Sequence, residues 1–77
     1  MDSIIEAIKA GLTLKGKEYR MGGSREDRVI VGDKSIWYCV YTPGWLDLRM
    51  ISDGKTEDLY SNSASEVIRK AVDFLSN

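Results

Sequence analysis

Histidine is absent from the 77-residue chain, and cysteine, proline and phenylalanine each occur only once. The lack of histidine removes the residue that most often serves as a general base or metal ligand. The single cysteine, Cys39, excludes an intramolecular disulfide and cannot build a cysteine-rich zinc site. We therefore predict a non-enzymatic protein that uses no metal or cofactor and works in a reducing, cytoplasmic compartment.

Long apolar runs and a charge imbalance are also missing. No apolar stretch approaches the ~18 residues of a membrane-spanning helix, and the N-terminal residues do not have the pattern of a signal peptide. Eleven basic and twelve acidic residues give a formal net charge of −1. This balance argues against a purely electrostatic binder of nucleic acid or anionic membrane, and we predict no membrane association.

Hydrophobic residues make up 43% of the chain and charged residues 30%, which is typical of a folded domain. The length suffices for one domain only. We therefore predict a single compact α+β domain over residues 1–77.

Residues 35–52, SIWYCVYTPGWLDLRMIS, hold both tryptophans and two of the four tyrosines. Apolar alternation predicts two strands joined by a three-residue Thr-Pro-Gly loop, with the glycine in the left-handed conformation. A two-residue loop would exchange the faces of one strand, because strand side chains alternate. The three-residue loop pairs Tyr41 with Trp45, Val40 with Leu46, Tyr38 with Leu48 and Ile36 with Met50.

Two more hairpins are indicated by turn residues. Asp53-Gly54 is typical of a two-residue type I′ turn, and Asp33-Lys34 are predicted at the centre of another hairpin. The resulting pairs are Leu48 with Leu59, Arg49 with Asp58, Val31 with Ile36 and Val29 with Tyr38.

Helices are predicted over residues 1–10 and 64–75, where apolar residues recur at helical spacing. Gly11 is expected as the left-handed residue that ends the first helix in a Schellman motif. A short strand is expected over residues 18–21. Capping boxes are predicted at Ser3 with Glu6 and at Ser63 with Glu66.

These elements predict an α+β fold, an antiparallel meander of four or five strands with both helices on one face. Their order, with the serine-rich start of the last helix at residues 63–66, resembles the double-stranded RNA-binding domain in topology. That family binds phosphates through a lysine-rich start of its last helix. Residues 63–67 contain no basic residue here, so the resemblance covers topology and does not imply RNA binding.

The sheet face opposite the helices is predicted to display aromatic and arginine side chains. A solvated face normally carries Thr, Lys, Glu and Ser, so these residue types indicate a binding surface. The alternative is that the first helix or residues 12–22 fold over this face. The residues predicted on it are Arg28, Ile30, Trp37, Cys39, Tyr41, Trp45, Asp47, Arg49 and Ile51.

The leading functional hypothesis is a protein-binding module, in keeping with the stand-alone inhibitors or regulators that phages and mobile elements encode. The alternatives are a single- or double-stranded nucleic-acid binder that stacks bases on the aromatic rings, and a homodimer that uses the same face. The predicted partner-binding residues are Trp37, Tyr41, Trp45 and Arg49, with Arg20, Arg25 and Arg28 around the neighbouring loop. The alternative for these three arginines is a solvated loop, because Glu18, Glu26 and Asp27 are interspersed among them.

Overall fold

A computed structural model describes residues 3–25, 27–42 and 44–77, apart from the side chains of Tyr41 and Thr42. Two helices flank five strands, which form one antiparallel sheet in chain order; the predicted α+β class is confirmed. The elements are α1 (Ser3–Leu14), β1 (Arg20–Gly22), β2 (Arg28–Val31), β3 (Lys34–Thr42), β4 (Trp45–Ser52), β5 (Lys55–Ser61) and α2 (Ala64–Ser76). Neither helix in this part of the chain is long and apolar enough to cross a membrane.

The hydrophobic core lies between the sheet and the two helices, which pack on the same face. Val40 is 58% exposed, although the predicted alternation of β3 places it on the helix-facing side with Ile36 and Tyr38. It lies closer to the β3–β4 loop than Tyr38, which is buried on the same strand. The buried cluster consists of Ile4, Ile5, Ile8, Leu12, Val29, Ile36, Tyr38, Leu48, Val67, Ala71, Val72 and Leu75.

The end of α1 differs from the sequence prediction. Gly11 lies inside the helix, where a Cβ atom would stand only 2.7 Å from Cγ2 of Val72 on α2; the glycine therefore serves the close approach of the two helices. The Schellman ending forms at Gly16, whose φ is +71°. The Lys17 N–H donates to the Leu12 carbonyl at 2.9 Å, and the Gly16 N–H donates to the Thr13 carbonyl at 3.0 Å.

The two helix starts also differ from each other. Ser3 is already helical, so it is not the predicted N-cap, and the residues before it lie outside the described part. Ser63 is the N-cap of α2 and accepts a hydrogen bond from the Glu66 N–H at 3.3 Å, as predicted. In a capping box the Glu66 side chain would accept the Ser63 N–H directly. Here Ser61 lies between them: its hydroxyl accepts from the Ser63 N–H at 3.0 Å and donates to Glu66 Oε1 at 2.6 Å.

The β2–β3 hairpin has a register different from the predicted one. Val31 pairs with Lys34 and Val29 pairs with Ile36, so each partner lies two residues earlier than predicted. The two central residues of the turn are therefore residues 32 and 33. Gly32 occupies the first central position, where a positive φ is required, and its φ is +61°. Because strand side chains alternate, a shift of two residues leaves every side chain on the sheet face predicted for it.

The β3–β4 hairpin combines the two loop lengths considered from sequence. Trp45 pairs with Thr42 rather than Tyr41, and the register shifts at Tyr41; such an extra residue is a β-bulge. Gly44 has a φ of +86°, the left-handed conformation predicted for it, whereas Pro43 lies outside the described residues. The remaining predicted pairs are confirmed, namely Ile36 with Met50, Tyr38 with Leu48 and Val40 with Leu46.

The β4–β5 hairpin follows the sequence prediction. Asp53 and Gly54 have positive φ angles of 56° and 78°, as a type I′ turn requires at both central positions. The pairs of Leu48 with Leu59 and of Arg49 with Asp58 are confirmed.

Candidate functional site

We call the sheet surface opposite the two helices the outer face. The strand registers arrange its side chains in rows that run across the sheet. The central row, here called the arginine–tryptophan row, consists of Arg28, Trp37, Arg49 and Asp58, one residue from each of the strands β2 to β5. The flanking rows are Ile30, Ser35, Ile51 and Thr56 on one side, and Cys39, Asp47 and Tyr60 on the other.

Trp37 lies between two arginines in this row. The guanidinium carbons of Arg28 and Arg49 each lie 5.7 Å from the centroid of the indole ring, within the range of cation–π attraction. Arg49 also forms a bidentate ion pair with Asp58, with Nε 3.0 Å from Oδ1 and Nη2 3.3 Å from Oδ2. The hydrogen bonds and charge of Asp58 raise the pKa of Arg49 above its usual value.

The loop before β2 fixes the edge of the same indole ring. Trp37 Nε1–H donates to Asp27 Oδ2 at 2.9 Å, while the backbone N–H of Tyr38 donates to the Asp27 carbonyl at 3.2 Å. Gly23, with a φ of +84°, makes room for the carboxylate, since a Cβ atom there would stand 2.5 Å from Asp27 Oδ1. The ring is therefore held on both faces and at its nitrogen, yet the residue remains 39% exposed.

Two further aromatic residues are exposed on the outer face. Trp45 is 48% exposed and Tyr60 is 55% exposed. Trp45 lies on β4 four residues before Arg49, about 13 Å along the strand. Tyr60 is the cross-strand partner of Asp47 and is not among the predicted site residues. The pairing of Leu48 with Leu59 implied its position, because the residue after Leu59 must point to the outer face.

A cysteine and an aspartate form a close pair between these aromatic residues. Cys39 Sγ lies 3.9 Å from Asp47 Oδ2, and Asp47 Oδ1 is buried with no hydrogen-bond partner among the described residues. Loss of solvation raises the pKa of Asp47, the charge of Asp58 adds to this effect, and Arg49 opposes it. Loss of solvation and the Asp47 charge likewise raise the pKa of the Cys39 thiol, so this cysteine is a poor nucleophile at neutral pH.

Three arginines, Arg20, Arg25 and Arg28, lie on or beside the β1–β2 side of the outer face, in a segment that also holds Glu18 and Asp27. The four ion pairs among the described residues are formed by Lys9, Lys15, Arg49 and Arg69, and they do not include the other predicted site arginines. Arg20 pairs with Ile30, and Arg28 pairs with Gly22. Arg20 and Arg28 are therefore diagonal neighbours, and diagonal neighbours in a sheet have Cα atoms about 7–8 Å apart. Arg25 is exposed in the loop between β1 and β2.

The predicted site residues are therefore only partly brought together. Arg28 and Arg49 both lie within cation–π distance of Trp37, and Arg20 is a diagonal neighbour of Arg28. Trp45 stands at the far end of the face, Arg25 lies in the loop, and the side chain of Tyr41 falls outside the described residues.

The alternative covering of the outer face is not observed for the described residues. The buried residues of α1 belong to the core cluster, and Tyr19 and Met21 pack against the same cluster. Helix α1 and the side chains of Tyr19 and Met21 therefore lie on the helix-facing side of the sheet.

Comparison with known proteins adds no further assignment. No protein-family model matches the sequence, and no match is found among curated proteins or solved structures.

Proposed function

We propose that this chain is a small non-enzymatic protein-binding module whose outer face docks a partner protein. The observation that carries the proposal is the exposure of three large aromatic side chains, Trp37, Trp45 and Tyr60, on the face that the helices leave open. Tryptophan, tyrosine and arginine are the residue types enriched at binding hot spots. A module of this kind would inhibit or regulate its partner by covering part of the partner's surface.

The fixed position of Trp37 supports the same proposal. Arg28 and Arg49 stack on the ring, and Asp27 accepts its N–H. A side chain that is already held in one position loses little conformational entropy when a partner covers it. This row can therefore contribute more of its contact energy to binding than a mobile side chain would.

Three aspartates on or beside the outer face favour a protein over a nucleic acid. Asp58 is one end of the arginine–tryptophan row, Asp27 lies beside the other end, and Asp47 lies in the neighbouring row. A polyphosphate backbone crossing this face would meet carboxylates as well as arginines, and like charges repel. A protein surface can place its own charges selectively.

The experiment is an affinity capture from the native host with three tagged proteins: the wild type, Trp45→Ala and Leu14→Ala. Leu14 is a matched control because it is also an exposed apolar residue, at 88%, but lies on α1. We expect a partner that wild type and Leu14→Ala retain and that Trp45→Ala loses. With the purified partner, Trp45→Ala should weaken binding about tenfold or more.

The proposal is contradicted if Trp45→Ala folds normally and keeps full affinity. Tryptophan fluorescence during titration with labelled oligonucleotides tests the nucleic-acid alternative, and saturable binding at low salt would support it. Sedimentation at high micromolar concentration tests the homodimer, and a monomer would argue against it.

A further inference from the structure

We infer that the partner presents an acidic segment to the β1–β2 side of the outer face, where Arg28 receives a carboxylate. This inference rests on the proposed function and specifies the chemistry of the partner. It follows from a difference between the two arginines that stack on Trp37.

Arg49 already forms an ion pair with the carboxylate of Asp58. Its Nε and Nη2 atoms both donate to the two oxygens of Asp58, so one in-plane edge of its guanidinium group is occupied and its charge is balanced by a carboxylate. Arg28 stacks on the other side of the ring at the same 5.7 Å. Among the described residues, no carboxylate lies within ion-pair distance of Arg28.

The surroundings of Arg28 leave space for a ligand. Its partner on β1 is Gly22, which has no side chain to cover it. A Cβ atom at Gly22 would contact Arg28 Cδ at 3.7 Å and Ile30 Cδ1 at 3.1 Å, so the stem of Arg28 lies over the glycine. The Arg28 guanidinium carbon lies over the Trp37 ring, and the in-plane N–H donors of a guanidinium group can bind a carboxylate in two-point fashion.

The nearest carboxylate in sequence is already engaged elsewhere. Asp27 accepts the indole N–H of Trp37. Arg20 adds positive charge beside Arg28, but it lines a small cleft of about 260 Å³ together with Glu18. We therefore assign the main role to Arg28, with supporting charge from Arg20 and Arg25.

The geometry favours a carboxylate side chain from a protein over a run of phosphates. Asp58 at the far end of the arginine–tryptophan row would repel an anionic backbone that continued along the row. A single acidic side chain can bind at Arg28 while apolar groups of the same partner cover Trp37 and Trp45. The complementary ligand is thus an acidic segment that also carries apolar side chains.

The test is a selection of random dodecapeptides displayed on phage against the immobilised wild-type protein, with peptides that also bind Trp45→Ala discarded. We expect the remaining peptides to be enriched in Asp and Glu. Synthetic versions should lose about tenfold or more in affinity for Arg28→Gln, because a hydrogen-bonded charge pair is lost. Arg69→Gln, the same charge change on the exposed face of α2, should bind like the wild type.

A second variant at the same position tests whether the loss of affinity in Arg28→Gln comes from a folding defect. Arg28→Lys keeps the charge and the aliphatic stem but removes the guanidinium fork. We expect it to weaken the acidic peptides several-fold while circular dichroism and thermal unfolding stay like those of the wild type.

The contrary outcomes separate this inference from the function on which it rests. Peptides that depend on Trp45 but are not acidic, or that bind Arg28→Gln as well as wild type, would overturn the acidic partner and leave the docking face in place. Failure to select any Trp45-dependent peptide would overturn both. Binding of a labelled dodecathymidylate that is tighter than any peptide and is lost in Arg28→Gln would also overturn it, in favour of a nucleic acid.

Discussion

The helix-facing side of the sheet and its outer face are stabilised by different kinds of contact. On the helix-facing side, Val29, Ile36 and Leu48 are fully buried and belong to the same apolar cluster as residues of both helices. On the outer face, Trp37 is held by two guanidinium groups and a carboxylate while more than a third of it remains exposed. The first arrangement removes apolar area from water, and the second fixes the geometry of exposed groups.

The difference in contact type predicts a difference in what substitutions change. Burial of a large aliphatic side chain contributes about 1.5–3 kcal/mol to stability. An exposed ion pair contributes about 0–1 kcal/mol. Substitutions on the helix-facing side should therefore act on folding, whereas those on the outer face should act on binding.

The largest effect is expected for Leu48→Ala. Leu48 is fully buried at the centre of β4, and its truncation leaves a cavity in the core between the sheet and the helices. We expect a loss of about 2–5 kcal/mol in the free energy of unfolding, measured by chemical denaturation. Leu14→Ala on the exposed end of α1 should change it by less than about 0.5 kcal/mol; equal effects of the two would contradict the assignment of the core.

A pH-dependent effect of intermediate size is expected at Asp47. Its pKa is raised in the folded protein above the ordinary value of 3.8, so the folded state binds a proton more tightly than the unfolded state. Its contribution to stability is therefore largest below pH 3.8 and is lost as the pH rises through the raised value. Relative to Asp47→Asn, the wild type should gain stability as the pH falls from neutral toward 3.8.

Denaturation of both proteins across this pH range measures the difference directly. A difference that stays constant, or that grows with increasing pH, would show that Asp47 is ionised and adequately solvated in the folded protein.

The smallest effect is expected for the Arg49–Asp58 ion pair. Both side chains are partly exposed, at 40% and 24%, so solvent screens their attraction. A double-mutant cycle with Arg49→Gln and Asp58→Asn should give a coupling energy of about 0.2–1 kcal/mol in unfolding experiments. A coupling of several kcal/mol would mean that the outer face stabilises the fold, and the contrast between the two faces would fail.

Much of the fold follows from local sequence signals. The Asp53-Gly54 turn, the apolar alternation of β3 and β4 and the serine N-cap of α2 each act within a few residues, and each was predicted. The role of Gly11 could not be, because it depends on Val72, some sixty positions away on another helix. The bulge at Tyr41 is likewise a local adjustment of the ladder, for which alternation gives no signal.

The outer face was predictable in composition but not in arrangement. Alternation placed Arg28, Trp37 and Arg49 on one surface. The predicted β2–β3 register would have set Arg28 opposite Cys39, and the observed register sets it opposite Trp37. The stacking of two arginines on one ring therefore depends on where Gly32 places the turn, a choice between two similar hairpins.

Protein binding through the outer face is the proposed function, and it has a direct test. The most direct measurement is the calorimetric affinity of Trp45→Ala for the partner captured with the wild-type protein, with Leu14→Ala titrated alongside. We predict that Trp45→Ala binds about tenfold or more weakly while its unfolding free energy and the affinity of Leu14→Ala stay at wild-type values. A folded Trp45→Ala protein with wild-type affinity would contradict the account.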